Sequence, residues 1–246
     1  MTTWFISDIH LDSERPDIAS AFAHFVDTTA RAADALYILG DWFESWIGDD
    51  DPDPAKHAAI AAVKQLSERG TQCYFCHGNR DFLAGAKLAN DAGVTLLDEE
   101  HVVELGGERV LLMHGDSLCT DDVQYMAFRQ QARDPAWQSQ VLALPIPARQ
   151  ALAAQAREQS ATDMAQKTED IMDVNAQAVL DTLQRHDVRR LIHGHTHRPA
   201  THRIDDNGVE RTRHVLGDWY EQGRVLVHDT NGFREVEIPL ADRCGS

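Results

Sequence analysis

The first third of the chain alternates short apolar runs with longer stretches whose apolar residues recur at helical spacing. Runs rich in β-branched and aromatic residues predict strands at 3–7, 35–39 and 71–76. The stretches that follow them predict helices at 19–33, 55–69 and 83–92. Because strand and helix alternate, the pattern is typical of βαβ units around a largely parallel sheet.

The second half returns to this pattern after an interruption. Two or three strands are expected between residues 94 and 113, with Gly106-Gly107 as a hairpin turn. A helix at 174–186 and a strand at 189–192 follow, and then a run of strands through Pro239 with turns at 206–208 and 231–232. Hairpins next to parallel units predict mixed sheets.

The interruption is a stretch of different composition between Asp121 and about Asp170. It is rich in Ala, Gln and Arg and carries Leu-Pro-Ile-Pro at 144–147. Proline breaks helices and alanine favours them, so we expect two or three helices here rather than strands. We interpret 121–170 as a helical cap inserted into a single domain that spans residues 1–246.

Composition narrows the class of protein. The chain has 246 residues, of which 43% are hydrophobic, and its net charge of −17 argues against nucleic acid as a partner. We expect neither a membrane-spanning helix nor a signal peptide, and therefore a cytoplasmic protein. Four scattered cysteines do not suggest a disulfide framework, and Cys73-Tyr-Phe-Cys76 is interpreted as a buried strand rather than a zinc or redox site.

Five polar clusters follow directly after predicted apolar strands. They are Ser7-Asp8-Ile9-His10, Gly40-Asp41-Trp42-Phe43-Glu44, His77-Gly78-Asn79-Arg80-Asp81, His114-Gly115-Asp116 and His193-Gly194-His195-Thr196-His197. Ligands of open α/β sheets bind beyond the carboxyl ends of strands, so these distant clusters are expected to converge. Asp-x-His and His-x-His place two metal-ligand types on one side of an extended chain, which predicts a divalent metal site.

The order of these clusters resembles the calcineurin-like metallophosphoesterases. The resemblance implies two mixed β-sheets flanked by helices, an α/β (α+β) fold. It implies one metal held by Asp8, His10, Asp41 and His197, and a second held by Asp41, Asn79, His114 and His195. Two divalent ions roughly 3.5–4 Å apart need a shared carboxylate, here Asp41, and mixed oxygen and nitrogen ligands suit Mn²⁺.

Arg80 departs from the wider superfamily, in which many members carry Gly-Asn-His-Asp. That histidine can protonate a leaving oxygen, whereas an arginine cannot give up a proton at working pH. Arginine can instead hold a phosphate with two hydrogen bonds and stabilise the charge of the transition state. We therefore expect a leaving group that needs no proton, such as one half of a pyrophosphate.

Longer stretches around these clusters, together with Ile171-Met-Asp-Val-Asn175, closely resemble the UDP-2,3-diacylglucosamine hydrolases of lipid A biosynthesis. The resemblance implies water attack at the α-phosphorus with two Mn²⁺, which releases UMP and 2,3-diacylglucosamine 1-phosphate (lipid X). The substrate contacts that it implies are Asn79, Arg80, Asp122, Ser160, Lys167 and His195. Position 164 departs from the family pattern, because relatives carry Asn where this chain has Met164.

The cap is the expected place for the lipid. Its apolar residues would line an acyl groove or form a small helical core; they are Leu142, Leu144, Ile146, Leu152, Met126, Phe128 and Trp137. Between residues 123 and 168 five basic residues face three acidic ones. This local excess of positive charge would suit a peripheral contact with the cytoplasmic face of the inner membrane.

Two other functions remain open from the sequence. The first is a general metallophosphoesterase that acts on a soluble phosphodiester or nucleotide. The second is a metal-binding scaffold without catalysis. Three acidic features also have no fixed role. The run Asp49-Asp50-Asp51-Pro52-Asp53 is interpreted either as a further cation site or as a solvated loop. Asp81 and Asp116 are expected to orient imidazoles or Arg80. The oligomeric state is not predicted.

Overall fold

Two facing β-sheets with helices on their outer sides form the core of the computed structural model, which describes residues 1–166, 171 and 173–240. The strands are β1 Thr3–Ile6, β2 Ala35–Leu39, β3 Gln72–Cys76, β4 Val94–Leu96, β5 His101–Leu105, β6 Glu108–Leu112, β7 Arg190–His193, β8 Ala200–Asp206, β9 Val209–Val215, β10 Gly223–Asp229 and β11 Gly232–Ile238. The α-helices are α1 Pro16–His24, α2 Pro54–Glu68, α3 Ala86–Ala92, α4 Val123–Ala132, α5 Pro135–Leu142, α6 Ile146–Gln166 and α7 Ala176–Arg185.

Both sheets are mixed, as predicted. The first has the order β11-β10-β1-β2-β3-β4, with β1 to β4 parallel and β10 antiparallel to β1. The second has the order β5-β6-β7-β9-β8, with β6, β7 and β9 parallel and hairpins at both edges. The predicted turn at 106–107 joins β5 to β6, the turn at 206–208 joins β8 to β9, and the turn at 231–232 joins β10 to β11.

Alternate residues of a strand point to opposite faces, and this divides the core. Trp4 and Ile6 of β1 pack with α1 and α2, while Phe5 packs against the second sheet. A third cluster joins the outer face of the second sheet to α7. Cys73 and Cys76 belong to two different clusters on the two faces of β3, so the pair forms a buried strand, as predicted, and no joint metal site.

The predicted helix at 19–33 has different bounds in the structure. It begins at Pro16, whose fixed φ suits the first turn, and ends at His24. The chain then passes through a π-helical turn, Phe25–Thr29, and a 3₁₀ turn, Ala30–Ala32. The Thr28 hydroxyl donates to the His24 carbonyl at 2.6 Å, a local bond that competes with regular helix geometry.

Three helices, α4 to α6, occupy the stretch between β6 and α7 that was predicted to be helical. Pro147 lies in the first turn of α6, where the missing N–H costs nothing, so the prolines mark a helix start and not a break within it. Part of the stretch, 167–170, lies outside the described residues. The interpretation of 121–170 as a cap inserted into a single domain stays a prediction.

His214 on β9 makes the stability of the second sheet sensitive to acid. Its Nε2 lies 2.7 Å from the Arg190 guanidinium, and because arginine only donates, the ring must accept there and stay neutral. Burial and then the charge of Arg190 lower its pKa to about 4. The unfolded chain therefore binds a proton between about pH 6.5 and pH 4 that the folded chain does not, and stability falls as pH falls.

We expect His214→Gln, which keeps an acceptor for Arg190, to reduce this pH dependence. The free energy of unfolding of the unaltered protein should fall between pH 7 and pH 4.5 by about 2 kcal/mol more than that of the variant. Urea unfolding of both proteins at the two pH values measures the difference. Identical losses in the two proteins would contradict the assignment of a neutral His214.

Candidate active site

The seven residues expected to bind metal lie in loops at the carboxyl ends of five strands. Asp8 and His10 follow β1, Asp41 follows β2, Asn79 follows β3, His114 follows β6, and His195 and His197 follow β7. The strands of each sheet bring their carboxyl ends to the same edge, and the two sheets pack face to face. All seven side chains meet between them.

The first group of candidate ligands surrounds the Asp8 carboxylate. Asp8 Oδ1 lies 3.3 Å from His197 Nε2 and 4.0 Å from His10 Nε2, and the two imidazole nitrogens are 3.2 Å apart. Asp8 Oδ2 accepts the backbone N–H of His195 at 2.9 Å, which orients the carboxylate. The three side chains can place one ligand atom each around a single ion.

The second group contains His114, His195 and Asn79. The Asn79 Oδ1 atom lies 2.9 Å from His114 Nε2 and 2.8 Å from His195 Nδ1. Asp41 stands between the two groups, with Oδ1 3.7 Å from His114 Nε2 and Oδ2 3.9 Å from His10 Nε2. This is the placement that a bridging carboxylate requires.

The residues present fit a pair of divalent metal ions. Asp8 Oδ1 is buried and has no hydrogen-bond partner, although it is surrounded by ring nitrogens. The His114 Nδ1 atom lies 2.9 Å from the Leu39 carbonyl and donates to it, so Nε2 is the ring nitrogen that faces Asn79 and can coordinate an ion when it carries no proton. Carboxylate and amide oxygens mixed with imidazole nitrogens form a donor set for a divalent ion of the first transition row.

Five of the seven residues have left-handed backbone conformations. The φ angles are 53° at Asp8, 53° at His10, 51° at Asp41, 69° at His195 and 55° at His197. Such angles are uncommon outside glycine and cluster where a site demands them. The expectation that Asp-x-His and His-x-His lie on one side of an extended chain is therefore wrong, because left-handed turns and not an extended backbone direct these side chains into the site.

Two glycines allow the loops to approach the carboxylates. A Cβ at Gly78 would lie 2.1 Å from Asp41 Oδ1, and a Cβ at Gly194 would lie 2.2 Å from Asp8 Oδ2. Both distances are far below van der Waals contact. A side chain larger than that of glycine would therefore prevent the close approach of these loops.

Burial and opposite charges shift several pKa values in the site. Burial opposes a charge on His197, but the adjacent Asp8 carboxylate outweighs it and raises the pKa of His197 to about 9. Burial and then the neighbouring His114 lower the pKa of His195 to about 4. Burial and then the charge of Asp41 raise the pKa of Asp81 to about 7. The carboxylates Asp8 and Asp41 thus favour a proton on His197 and on Asp81, whereas burial and His114 disfavour one on His195.

Three further residues support the first group, and sequence reasoning did not assign them a role. Glu44 Oε2 lies 2.9 Å from His10 Nδ1, and Asp218 Oδ2 lies 3.7 Å from His197 Nδ1. The Tyr220 ring stacks on His10 with the ring centres 5.1 Å apart. Glu44 falls within one of the five clusters, but the sequence carries no signal for Asp218 or Tyr220.

We expect Glu44→Ala to weaken metal binding. A carboxylate on the far nitrogen fixes the ring orientation and raises the basicity of the coordinating nitrogen, and losing such a partner typically costs about 10- to 100-fold in affinity. Calorimetric titration of the metal-free protein with Mn²⁺ measures the change. Glu44→Gln, which retains an oxygen acceptor, should lose less. Equal affinities in all three proteins would contradict this role.

Asp81 and Asp116 hold loops in place. Asp81 accepts the backbone N–H groups of Trp42 and Gly78, both at 2.7 Å, so its bonds go to amides and not to an imidazole or to Arg80. Asp116 accepts the Tyr125 hydroxyl at 2.9 Å and Arg129 Nε at 2.9 Å. Asp81 therefore ties the loops after β2 and β3 together, and Asp116 ties the loop of His114 to α4.

The aspartates of the acidic run at 49–53 anchor neighbouring segments, although the Asp50 side chain is also 60% exposed to solvent. Each of its aspartates has a partner: Asp49 accepts from the Gly85 amide at 2.9 Å, Asp50 from Arg149 at 2.6 Å and Asp51 from Lys56 at 3.0 Å, and Asp53 caps α2. Because the carboxylates are used in this way, a further cation site here has no support.

A cavity of about 530 Å³ opens directly onto the candidate metal ligands. It is lined by predicted substrate contacts, Asn79, Arg80, Asp122, Ser160 and His195, and also by the apolar residues Phe82, Phe128, Trp137, Val141 and Leu152. Lys167 and the side chain of Met164 lie outside the described residues. Three residues of the predicted acyl groove, Phe128, Trp137 and Leu152, line the cavity, and Leu142 and Leu144 do not. Phe128, Leu142 and Leu144 are exposed on the surface.

Comparison with known sequences agrees with this geometry. The sequence model of the calcineurin-like phosphoesterases matches residues 1–199. The chain belongs to this family. The predicted fold, two mixed sheets flanked by helices, is thereby confirmed. Within residues 1–166, 171 and 173–240, no helix combines the length and hydropathy needed to cross a membrane.

Full-length relatives carry one name. The chain is 49% identical to the UDP-2,3-diacylglucosamine hydrolase of Enterobacter sp. (strain 638) over 240 residues, which is 98% of this chain and 100% of that protein. It is 51% identical to the protein of the same name from Escherichia coli O6:H1 and 50% identical to that from Yersinia pseudotuberculosis serotype O:1b, with the same coverage. The closer resemblance noted in the sequence is confirmed.

Proposed function

We propose that this protein hydrolyses UDP-2,3-diacylglucosamine at the α-phosphorus and releases UMP and 2,3-diacylglucosamine 1-phosphate, with two Mn²⁺ ions, in lipid A biosynthesis. One observation carries the proposal: a single cavity joins the metal-ligand cluster to an apolar surface contributed by α4, α5 and α6. A pyrophosphate linked to a diacylated sugar needs both. The names of the full-length relatives support the same substrate.

The chain holds the metal ions and orients the reaction around them. Asp8, His10, Asp41 and His197 would bind the first ion, and Asp41, Asn79, His114 and His195 the second. When bound, such a pair of ions polarises a phosphoryl oxygen and activates a water for attack. The backbone N–H of Arg80 donates to Asp41 Oδ1 at 2.8 Å, so Asp41 is fixed before any ion arrives.

Arg80 faces the reacting phosphate in this proposal. Its side chain lines the cavity beside Asn79, and its Nε is buried without a hydrogen-bond partner. A buried donor without a partner is costly unless a ligand completes it, and a phosphate oxygen is the acceptor that a guanidinium prefers. Arg80 would bind the pyrophosphate and stabilise the charge that develops as the bond to the sugar phosphate breaks.

The helices α4 to α6 supply the remaining substrate contacts. Asp122 caps α4 by accepting the Tyr125 N–H at 3.0 Å, and Ser160 lies on α6. Both line the cavity, where they would bind the polar part of the lipid. The resemblance adds Lys167, which lies outside the described residues. The aromatic and aliphatic residues that line the cavity would contact the acyl chains, because burying the chains there removes apolar surface from water.

We further propose a peripheral position on the cytoplasmic face of the inner membrane. Exposed apolar side chains surround the cavity region: Val123, Phe128, Leu142, Leu144 and Ile171. Three of the five basic residues counted in this stretch already lie next to carboxylates of the protein. Arg129 and Arg133 lie by Asp116, and Arg149 pairs with Asp50. The apolar residues therefore carry this proposal.

One assay tests the proposed function. UMP release from UDP-2,3-diacylglucosamine should require Mn²⁺ and should be much slower with the deacylated UDP-glucosamine. Equal rates with the two substrates would favour a general metallophosphoesterase of soluble nucleotides. An absence of hydrolysis of either substrate by the Mn²⁺-loaded protein would favour a metal-binding scaffold and overturn the proposal.

A further inference from the structure

Arg149 is a buried cation on α6, a helix that also has an exposed side. Its side chain is 4% exposed and donates four hydrogen bonds. Nη1 donates to the Ile47 carbonyl and to Asp50 Oδ1, both at 2.6 Å, and Nη2 donates to Asp50 Oδ2 at 2.6 Å. Nε donates to the Leu144 carbonyl at 3.0 Å. A guanidinium has five N–H groups, so this one is nearly saturated.

The loop that follows β2 is shaped to receive this guanidinium. Gly48 has a φ of 128°, and a Cβ at this position would lie 2.5 Å from Arg149 Nη1. Only glycine fits both the backbone angle and the space. The Asp50 carboxylate takes both its hydrogen bonds from the fork of the guanidinium, a geometry that fixes direction as well as distance. The joint that these bonds form between α6 and the loop is buried on the Arg149 side and open to solvent at Asp50, whose side chain is 60% exposed.

The joint lies on the face of α6 that lines the cavity. Residues 149, 152, 153, 156, 157 and 160 recur at intervals of three and four, and all of them line the cavity. Ser160 stands about 16 Å along the helix from Arg149, at about 1.5 Å per residue. A rotation of α6 about its axis would move this entire face, including Ser160.

The other side of the joint is the cavity wall next to Arg80. Trp46 and Ile47 line the cavity, and the Trp46 N–H donates to the Arg80 carbonyl at 2.9 Å. The carbonyl of Ile47 is itself one of the acceptors of Arg149. Arg149 thus connects the helix face that would contact the lipid to the loop that positions the phosphate-binding arginine.

We propose that Arg149 and Asp50 form a clamp that sets the spacing between α6 and the loop at 46–50, and thereby the preference of the enzyme for acylated nucleotide sugars. The inference rests on the proposed function. Both are positioning residues that act through α6 and Ile47. Without the clamp α6 can rotate about its axis, so the helix face that would contact the acyl chains is displaced. The metal ligands stay in place.

The test compares two substrates dispersed in the same detergent micelles. Arg149→Met keeps the bulk of the side chain and removes its donors. We expect this variant to raise KM for UDP-2,3-diacylglucosamine about tenfold and to leave kcat within about twofold. The ratio of kcat/KM for the diacylated substrate to that for deacylated UDP-glucosamine should fall about tenfold. Asp50→Ala should act in the same direction, and the double variant should be no worse than Arg149→Met.

Arg211→Met is the matched control. Arg211 is 11% exposed, donates to Asp206 Oδ2 at 2.9 Å and to the Val188 carbonyl, and lies on β9 away from the cavity. We expect it to lower Tm without changing the substrate ratio. If Arg149→Met also lowers Tm but leaves the ratio unchanged, Arg149 is merely structural and the proposal is overturned.

A second measurement keeps the clamp testable without any substrate. Hydrogen exchange of the backbone amides at 146–160 should be faster in Arg149→Met than in the unaltered protein, and no faster in Arg211→Met. If the unaltered protein releases no UMP, the proposed function fails. Faster exchange in Arg149→Met would still support the clamp as a structural contact. If exchange at 146–160 is the same in all three proteins, the clamp itself is refuted.

Discussion

Asp41→Asn should abolish hydrolysis while the protein stays folded. Asp41 presents one carboxylate oxygen to each group of candidate ligands, and an amide cannot offer two anionic oxygens to two cations. We expect a loss of turnover of at least about a thousandfold, which corresponds to roughly 4 kcal/mol of transition-state stabilisation. UMP release at saturating Mn²⁺ measures the activity, and calorimetric titration should show fewer bound ions.

The same substitution should not destabilise the metal-free protein. Asparagine tolerates the left-handed backbone at this position, where φ is 51°. The charge of Asp41 also contributes to the raised pKa of the buried Asp81, so removing it relieves a repulsion between carboxylates. The free energy of unfolding in EDTA should therefore be at least as large in Asp41→Asn as in the unaltered protein.

Asp187→Asn is a matched control for this prediction. Asp187 also has a φ of 51°, but it lies in an exposed turn after α7. The same chemical change there should leave turnover and metal binding unchanged. Near-normal turnover of Asp41→Asn would refute the bridging role, and a large loss of stability in EDTA would show that Asp41 serves the fold more than the ions.

The fold was predictable where local pattern and tertiary structure agree. The apolar runs that became β1, β2 and β3 are buried on both faces, so they appear in the sequence as continuous hydrophobic segments. Polar residues at the ends of such strands must leave the core together, and this is why the predicted ligands from five separate clusters meet. The π-helical turn after α1 was not predictable, because it depends on a side chain bonding back to the helix.

The parts of the site that sequence reasoning missed depend on distant partners. Arg149 stands among alanines and glutamines and looks like a surface cation, since its partner Asp50 is 99 residues away. Glu44 follows Asp41 at a spacing that suits a solvated turn as well as a contact with His10. Left-handed angles at the ligands also leave no local signature of a site, because aspartate adopts them in ordinary turns as well, as Asp187 does here.

Arg80→Met should lower kcat strongly without loss of metal. The backbone of Arg80, and not its side chain, contacts Asp41, so the metal ligands keep their support in the variant. Losing a donor aimed at developing charge typically costs about 100- to 1,000-fold in kcat. UMP release measures the loss, and Mn²⁺ titration should give unchanged affinity. Arg80→Lys keeps a charge but not the planar fork, so its kcat should lie between those of the unaltered protein and Arg80→Met.

The choice of arginine at position 80 also predicts which leaving groups the site accepts. Arg80 cannot donate a proton, so turnover should remain high only where the departing group is already acidic. A pyrophosphate that releases a sugar phosphate, or a phosphodiester that releases an aryl alcohol, should react, and a phosphodiester that releases an alkyl alcohol should react far more slowly. Arg80→His would place a proton donor there and should narrow this gap while slowing pyrophosphate hydrolysis. A gap of the same size in the two proteins would show that proton donation does not limit the reaction and that position 80 acts through charge alone.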